Sequence, residues 1–151
     1  MSITGRHVSK LSGYAPALPT PFDDKGCVDA SAFERLCDLQ IAHSATALVV
    51  CGTTGEAQTL RPQEHSELVR MAVARSRGRI PVIAGAGAND TAHAMTLAED
   101  AEAAGADAIL SVVPYYNKPH RKDSMPTSAR SQRQRACQSS SMMCPRERRA
   151  A

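Results

Sequence analysis

Short apolar runs rich in Ala, Val, Leu and Ile alternate along this chain with longer stretches whose apolar residues recur at helical spacing. The first run, residues 14–20 (YAPALPT), reads as a strand, but Pro16 and Pro19 lack an N–H and confine it to an edge or a mouth. Asp23, Asp24, Lys25 and Gly26 then make a turn. Asp29 is placed to cap a helix, and Phe33, Leu36, Cys37 and Ile41 fall on one face of it. Residues 47–51 (ALVVC) are continuously apolar, as in a strand covered on both faces, and end at Gly52 and Thr53. A second helix opens at Pro62, a favoured first-turn residue, carries Leu68, Val69, Ala72 and Val73, and stops by Gly78. A third strand over residues 80–84 breaks at Gly85 and Gly87. A third helix starts near residues 89–91, carries Ala94, Leu97, Ala98 and Ala101, and stops at Gly105, before a fourth strand over residues 108–113.

Strand starts near residues 14, 47, 80 and 108 recur at about one βα unit each, which predicts a parallel sheet with crossover helices. Four such units are half of a (β/α)8 barrel, a fold that needs roughly 250 residues, and this chain has 151. A small doubly wound sheet produces the same periodicity, so the pattern alone leaves both architectures open.

Composition narrows the core more than the fold. The hydrophobic share is 42%, aromatics are only 3% and Trp is absent, so the core must be built from small aliphatic side chains. The net charge of +3 is unevenly spread: residues 120–151 hold eight Lys/Arg against Asp123 and Glu147, whereas residues 1–119 hold ten against thirteen acidic residues. A basic tail suits a polyanion, and a non-enzymatic fragment with a polyanion-binding tail is one function class carried forward. No nucleic-acid partner is expected. Five cysteines show neither a CxxC pair nor zinc-like spacing and read as free, buried thiols, with no secretory leader before them. The longest nearly unbroken apolar run, residues 45–51, is far short of the roughly 20 residues of a membrane span, which predicts a soluble, cytoplasmic protein.

In either architecture ligands gather at the carboxyl ends of the strands. The second strand runs into Gly52, Thr53, Thr54, Gly55 and Glu56, where two glycines permit a tight backbone and two hydroxyls can donate to a carboxylate. Equally, Thr53 and Thr54 can cap the next helix and bond locally. The fourth strand ends in Pro114, Tyr115, Tyr116, Asn117, Lys118 and Pro119, placing two phenols and an amide at the same rim. Tyrosine hydroxyls there can pass protons to a neighbouring threonine, or the rings can simply pack at a surface.

The strings GTTGE, TLRPQEH (residues 59–65), GAGAND (85–90), GADAIL (105–110) and PYYNKP (114–119), in this order and spacing, resemble the dihydrodipicolinate synthase family over residues 14–119. The sialic-acid and keto-deoxy-sugar aldolases share the barrel and the strand-two loop and are the runner-up, but PYYNKP is more similar to the synthases. The resemblance implies the first half of a TIM barrel over residues 1–119. It also implies a class I aldolase-type lyase, in which a lysine forms a Schiff base with pyruvate and the enamine adds to aspartate semialdehyde on the route to lysine. It implies no metal or cofactor, and a homo-oligomer that is a tetramer in the family. By the same resemblance, Thr54 binds the pyruvate carboxylate, Thr53 and Tyr116 belong to a proton relay whose tyrosine reaches into a neighbouring subunit's site, and Tyr115 packs at that interface. The chain departs from the family at His43, Ser44 and Ala45, where a glycine is usual.

The family's Schiff-base lysine lies on strand six, after a YDVPSRT-like string, and is expected beyond position 119. The lysines here are Lys10, Lys25, Lys118 and Lys122, and none ends an apolar strand where desolvation would lower an amine's pKa. The chain as it stands is therefore expected to be inactive. Residues 120–151 contain no Leu, Ile, Val, Phe, Tyr or Trp and are expected to be an irregular tail. Joining the third base of each codon to the first two of the next lets HRKDSMPT encode QEGLYAH and SMMCPRER encode YDVPSRT, with Met143 and Cys144 fixing the Asp and Val. These are the strings the family places after PYYNKP, so the tail reads as a frameshifted stretch of a synthase gene.

Overall fold

A computed structural model describes residues 12–112 and 115. Within them, helices and strands alternate in the order α1 (Ala30–Ala42), β1 (Leu48–Val50), α2 (Pro62–Ser76), β2 (Val82–Gly85), α3 (Thr91–Ala103) and β3 (Ala108–Leu110). The strands form one sheet in the order β1-β2-β3, and both pairings are parallel. Leu48 faces Val82 in the first pairing and Ile83 faces Ala108 in the second. The residues expected to form an irregular tail, 120–151, lie outside the described part, as do Lys10, Lys118 and Lys122.

Three of the four expected strands form, and the first does not. Residues 14–20 still run alongside β1: Val49 N–H donates to Pro16 O at 3.0 Å and Leu18 N–H donates to Val49 O at 2.9 Å. The pairing is reduced to a single parallel bridge, Ala17 with Val49, and Pro16 has no N–H with which to extend the ladder toward Ala47. The predicted turn closes a small hairpin bridged by Phe22 and Val28. The Asp23 carboxylate accepts from the N–H of Lys25 and of Cys27, and Gly26 sits at φ +76.

Helix boundaries follow their caps. Asp29 accepts from Ala32 N–H at the start of α1, and Asp90 accepts from His93 N–H at the start of α3. Pro62 opens α2, where the Glu64 carboxylate takes both the Arg61 N–H and its guanidinium. At its far end Arg77 (φ +47) and Gly78 (φ +70) enter the left-handed region and stop the helix. The departure at residues 43–45 is absorbed in the same way. Ser44 takes φ +64, so a serine holds a left-handed turn at a strain of about 1 kcal/mol, and Ala45 N–H still reaches Gln40 O at 3.0 Å.

Alternation along the strands sorts the core into two layers. Leu48, Val50, Val82, Ala84 and Ile109 face the helices and pack with Phe33, Leu68, Val69, Ala72, Leu97 and Ala101. Ala47, Ile83 and Ala108, with Val49 and Leu110 against them, form a separate cluster on the opposite face of the sheet. Two faces of unequal size, one under helices and one lined by the alternate residues, are what a barrel wall requires.

Candidate functional site at the carboxyl ends of the strands

The parallel register brings the loops after β1, β2 and β3 to one edge of the sheet. Beyond Val50 the chain turns sharply at Cys51, which is buried at φ +54. Gly52 O then accepts from Gly55 N–H at 3.1 Å, so Thr53 and Thr54 are the two central residues of a β-turn. Both threonines are exposed while Gly55 is buried. Among the described residues, neither hydroxyl has a hydrogen-bond partner. The residue capping α2 is Arg61, well beyond them, so the helix-capping reading of these threonines does not hold.

Two buried contacts fix this turn from beneath. Thr20, 6% exposed, donates its hydroxyl to Gly55 O at 2.7 Å. A Cβ on Gly55 would lie only 3.0 Å from Leu18 O, so glycine is needed for that approach. On the other side Gly85, the last residue of β2, lies flat against the Cys51 peptide. Farther out, Gln58 donates to Gly87 O at 3.1 Å, and Gly87 lies directly under Val112, so all three loops are tied together.

His65, in the first turns of α2, is 1% exposed and places Nε2 2.8 Å from Gly85 O. That bond fixes the neutral tautomer with the proton on Nε2, leaving Nδ1 as a buried acceptor with no partner among the described residues. Burial pushes its pKa below the ordinary 6.5, against weaker upward pulls from the Gly85 carbonyl and Asp100. His65 O in turn accepts from the Cys51 thiol at 3.8 Å. Burial raises the Cys51 thiol to about 12, and burial with Asp38 nearby does the same to Cys37, so neither is a nucleophile at neutral pH. Cys27 departs from the expectation of buried thiols, because the hairpin carries it into solvent.

The threonine pair is thus at the rim as expected. Tyr115 is 40% exposed, and Tyr116 lies outside the described residues. Thr20 and His65 have no assigned role in the sequence pattern, and Gly85, expected to break the third strand, is instead the last residue of β2; each acts through a contact more than nineteen residues away along the chain. No group of three or more His, Cys, Asp or Glu among the described residues could hold a metal ion, and no helix there is long and apolar enough to cross a membrane.

A parallel sheet with crossover helices, its loops gathered at one edge where Thr53 and Thr54 are exposed, defines a piece of a (β/α) barrel. Known proteins specify it further. The family model described as the dihydrodipicolinate synthetase family matches residues 10–125. A 4-hydroxy-tetrahydrodipicolinate synthase of Rhizorhabdus wittichii is 52% identical over 111 residues, which are 74% of this chain and 38% of that protein. The crystal structure of dihydrodipicolinate synthase from Aquifex aeolicus superposes at a TM-score of 0.77 with 42% identity, over 80% of this chain and 41% of that one. The chloride-inhibited enzyme from Acinetobacter baumannii, complexed with pyruvate, superposes at 0.78 with 38% identity, over 80% and 42%.

The chain belongs to the dihydrodipicolinate synthetase family, and its described residues are the first part of that family's barrel. It spans about two fifths of the length of the relatives it matches.

Proposed function

We propose that the whole protein condenses pyruvate with aspartate semialdehyde in lysine biosynthesis, as a cytoplasmic Schiff-base lyase, and that residues 1–119 supply its carboxylate-binding rim. The observation that carries this reading is the exposed turn at Thr53 and Thr54, set at the end of β1 in a chain whose solved relative holds pyruvate. Thr54 takes the pyruvate carboxylate with its hydroxyl and the free turn amides, and Thr53 relays protons with Tyr116. Tyr115 packs at the contact between subunits of a homotetramer. The relatives are named as synthases, which favours this reading over a keto-deoxy-sugar aldolase.

Lys25, the one lysine among the described residues, sits exposed on the hairpin and lacks the buried strand-end setting a Schiff base needs. Pyruvate should therefore bind the 151-residue chain without becoming covalently attached. Titration followed by the Thr53 and Thr54 amide resonances should saturate, and Thr54→Val should weaken binding by about tenfold through loss of one charge-assisted hydrogen bond. Borohydride added with pyruvate should leave the mass of the chain unchanged. An adduct under those conditions would overturn this assignment.

Residues 120–151 are proposed to be a shifted reading of the segment that follows PYYNKP in the family. Sequencing the coding DNA across codons 117–123 should reveal one base gained or lost, with the alternative frame continuing to a strand-six lysine. An intact frame in the organism would show the tail to be a true part of the protein.

A further inference from the structure

We propose that Thr20 is a positioning residue for carboxylate binding, holding the turn at residues 52–55 in the shape that aims Thr53 and Thr54 at the ligand. This rests on the reading of that turn as the pyruvate-binding element. The backbone cannot do the holding itself. The segment before β1 bonds to it through Pro16 O and Leu18 N–H, and beyond Leu18 no backbone hydrogen bond among the described residues joins residues 19 and 20 to β1 or the turn. Where the ladder stops, a side chain continues it: the Thr20 hydroxyl, 6% exposed, donates to Gly55 O at 2.7 Å across thirty-five positions of sequence.

Gly55 is the hinge on which this acts. Its N–H closes the turn onto Gly52 O at 3.1 Å, and its carbonyl is the group Thr20 grips. Its α-carbon is pressed against Leu18 O and the Cys51 backbone, where a Cβ would lie at 3.0 and 3.3 Å. One end of the turn is therefore fixed by the Cys51–Gly85 apposition and the other by Thr20. Thr53 and Thr54, between those ends, are exposed, and among the described residues their hydroxyls have no partner. Without the Thr20 hydroxyl, Gly55 O is left buried and unpaired, and the turn relaxes toward water to satisfy it. The two threonines then lose a fixed direction, and a preorganised site becomes one that must be ordered at each binding event.

The test uses the full chain as wild type, Thr20→Val and Thr20→Ser, with pyruvate as the probe. In Thr20→Val, amide exchange at Gly55, Glu56 and Ala57 is expected to speed up about tenfold while α2 and β2 amides stay at wild-type rates, and pyruvate affinity falls about tenfold. Thr20→Ser, which keeps the hydroxyl, should restore both. Wild-type exchange at those three amides in Thr20→Val, or faster exchange spread evenly over the whole sheet, would overturn the positioning role. Unchanged pyruvate affinity with the local exchange change would overturn it for binding. If the exchange pattern is as expected but wild type itself ignores pyruvate, the proposed function fails while the hold on the turn stands.

Discussion

Replacing Gly85 by alanine is expected to destabilise the protein by about 3 kcal/mol or more, the upper end of what overpacking usually does. The reason is that nothing can move aside. A Cβ at position 85 would overlap the Cys51 carbonyl oxygen, and it would lie 2.7 Å from the Cys51 carbonyl carbon and 3.1 Å from Gly52 N. All three are backbone atoms, and Cys51 is already in the left-handed region at φ +54 with no slack to give. Gly85 is also paired with Leu110 in the sheet and offers its carbonyl to His65, so shifting β2 would break both. In a domain of this size the loss corresponds to a fall in Tm on the order of 10–20 °C. Gly78→Ala is the control: its φ is +70, but nothing lies within 4 Å of the added Cβ, so only about 1 kcal/mol of backbone strain is expected. Thermal unfolding of both variants decides it, and equal losses would mean that the Cys51–Gly85 contact is not the tight point of the sheet.

Stability should also fall as pH is lowered below about 6.5, the ordinary value from which burial depresses the His65 imidazole. The unfolded chain then binds a proton that the folded chain resists, so unfolding is favoured as acid is added. The contribution is fully present above 6.5 and is lost as pH falls toward the depressed folded-state value. A protonated ring would have to place Nδ1–H in a buried position where the described residues offer it no acceptor. Carboxylates act lower down: Asp38, held down chiefly by its hydrogen bond to Arg75, and Glu64, by its bonds from Arg61, lose their contributions only below their ordinary 3.8 and 4.5. The window between pH 6.5 and 5 therefore belongs to His65 among the groups with a resolved shift. Urea midpoints for wild type should drop across it, and those of His65→Gln, which can still donate to Gly85 O without titrating, should stay level. His65→Ala should lose about 2–4 kcal/mol at every pH through the cavity and the unpaired carbonyl. A sloping His65→Gln profile would move the effect to another group.

Short apolar runs and helical spacing determined the order of the elements after the first expected strand, the parallel sheet and the helical faces, because both are local properties of the chain. Asp29 and Asp90 as caps and Pro62 as a helix opener were legible for the same reason, each acting within one turn. The barrel wall was legible only through the matching strings, since four βα repeats suit a doubly wound sheet equally well. The threonine pair at residues 53 and 54 could be picked out as a candidate, but whether it caps the next helix was decided by where α2 begins, at Pro62 with Arg61 as its N-cap. The proline-interrupted first segment reads as a strand from its own residues but forms only one bridge, because its bonds depend on how β1 runs beside it. Thr20, His65 and Gly85 became visible only in three dimensions. A buried hydroxyl, a half-satisfied imidazole and a glycine pressed on another peptide have no periodicity. Their roles lie in contacts made across twenty to thirty-five positions, which the sequence encodes only once the sheet has brought the strand ends together.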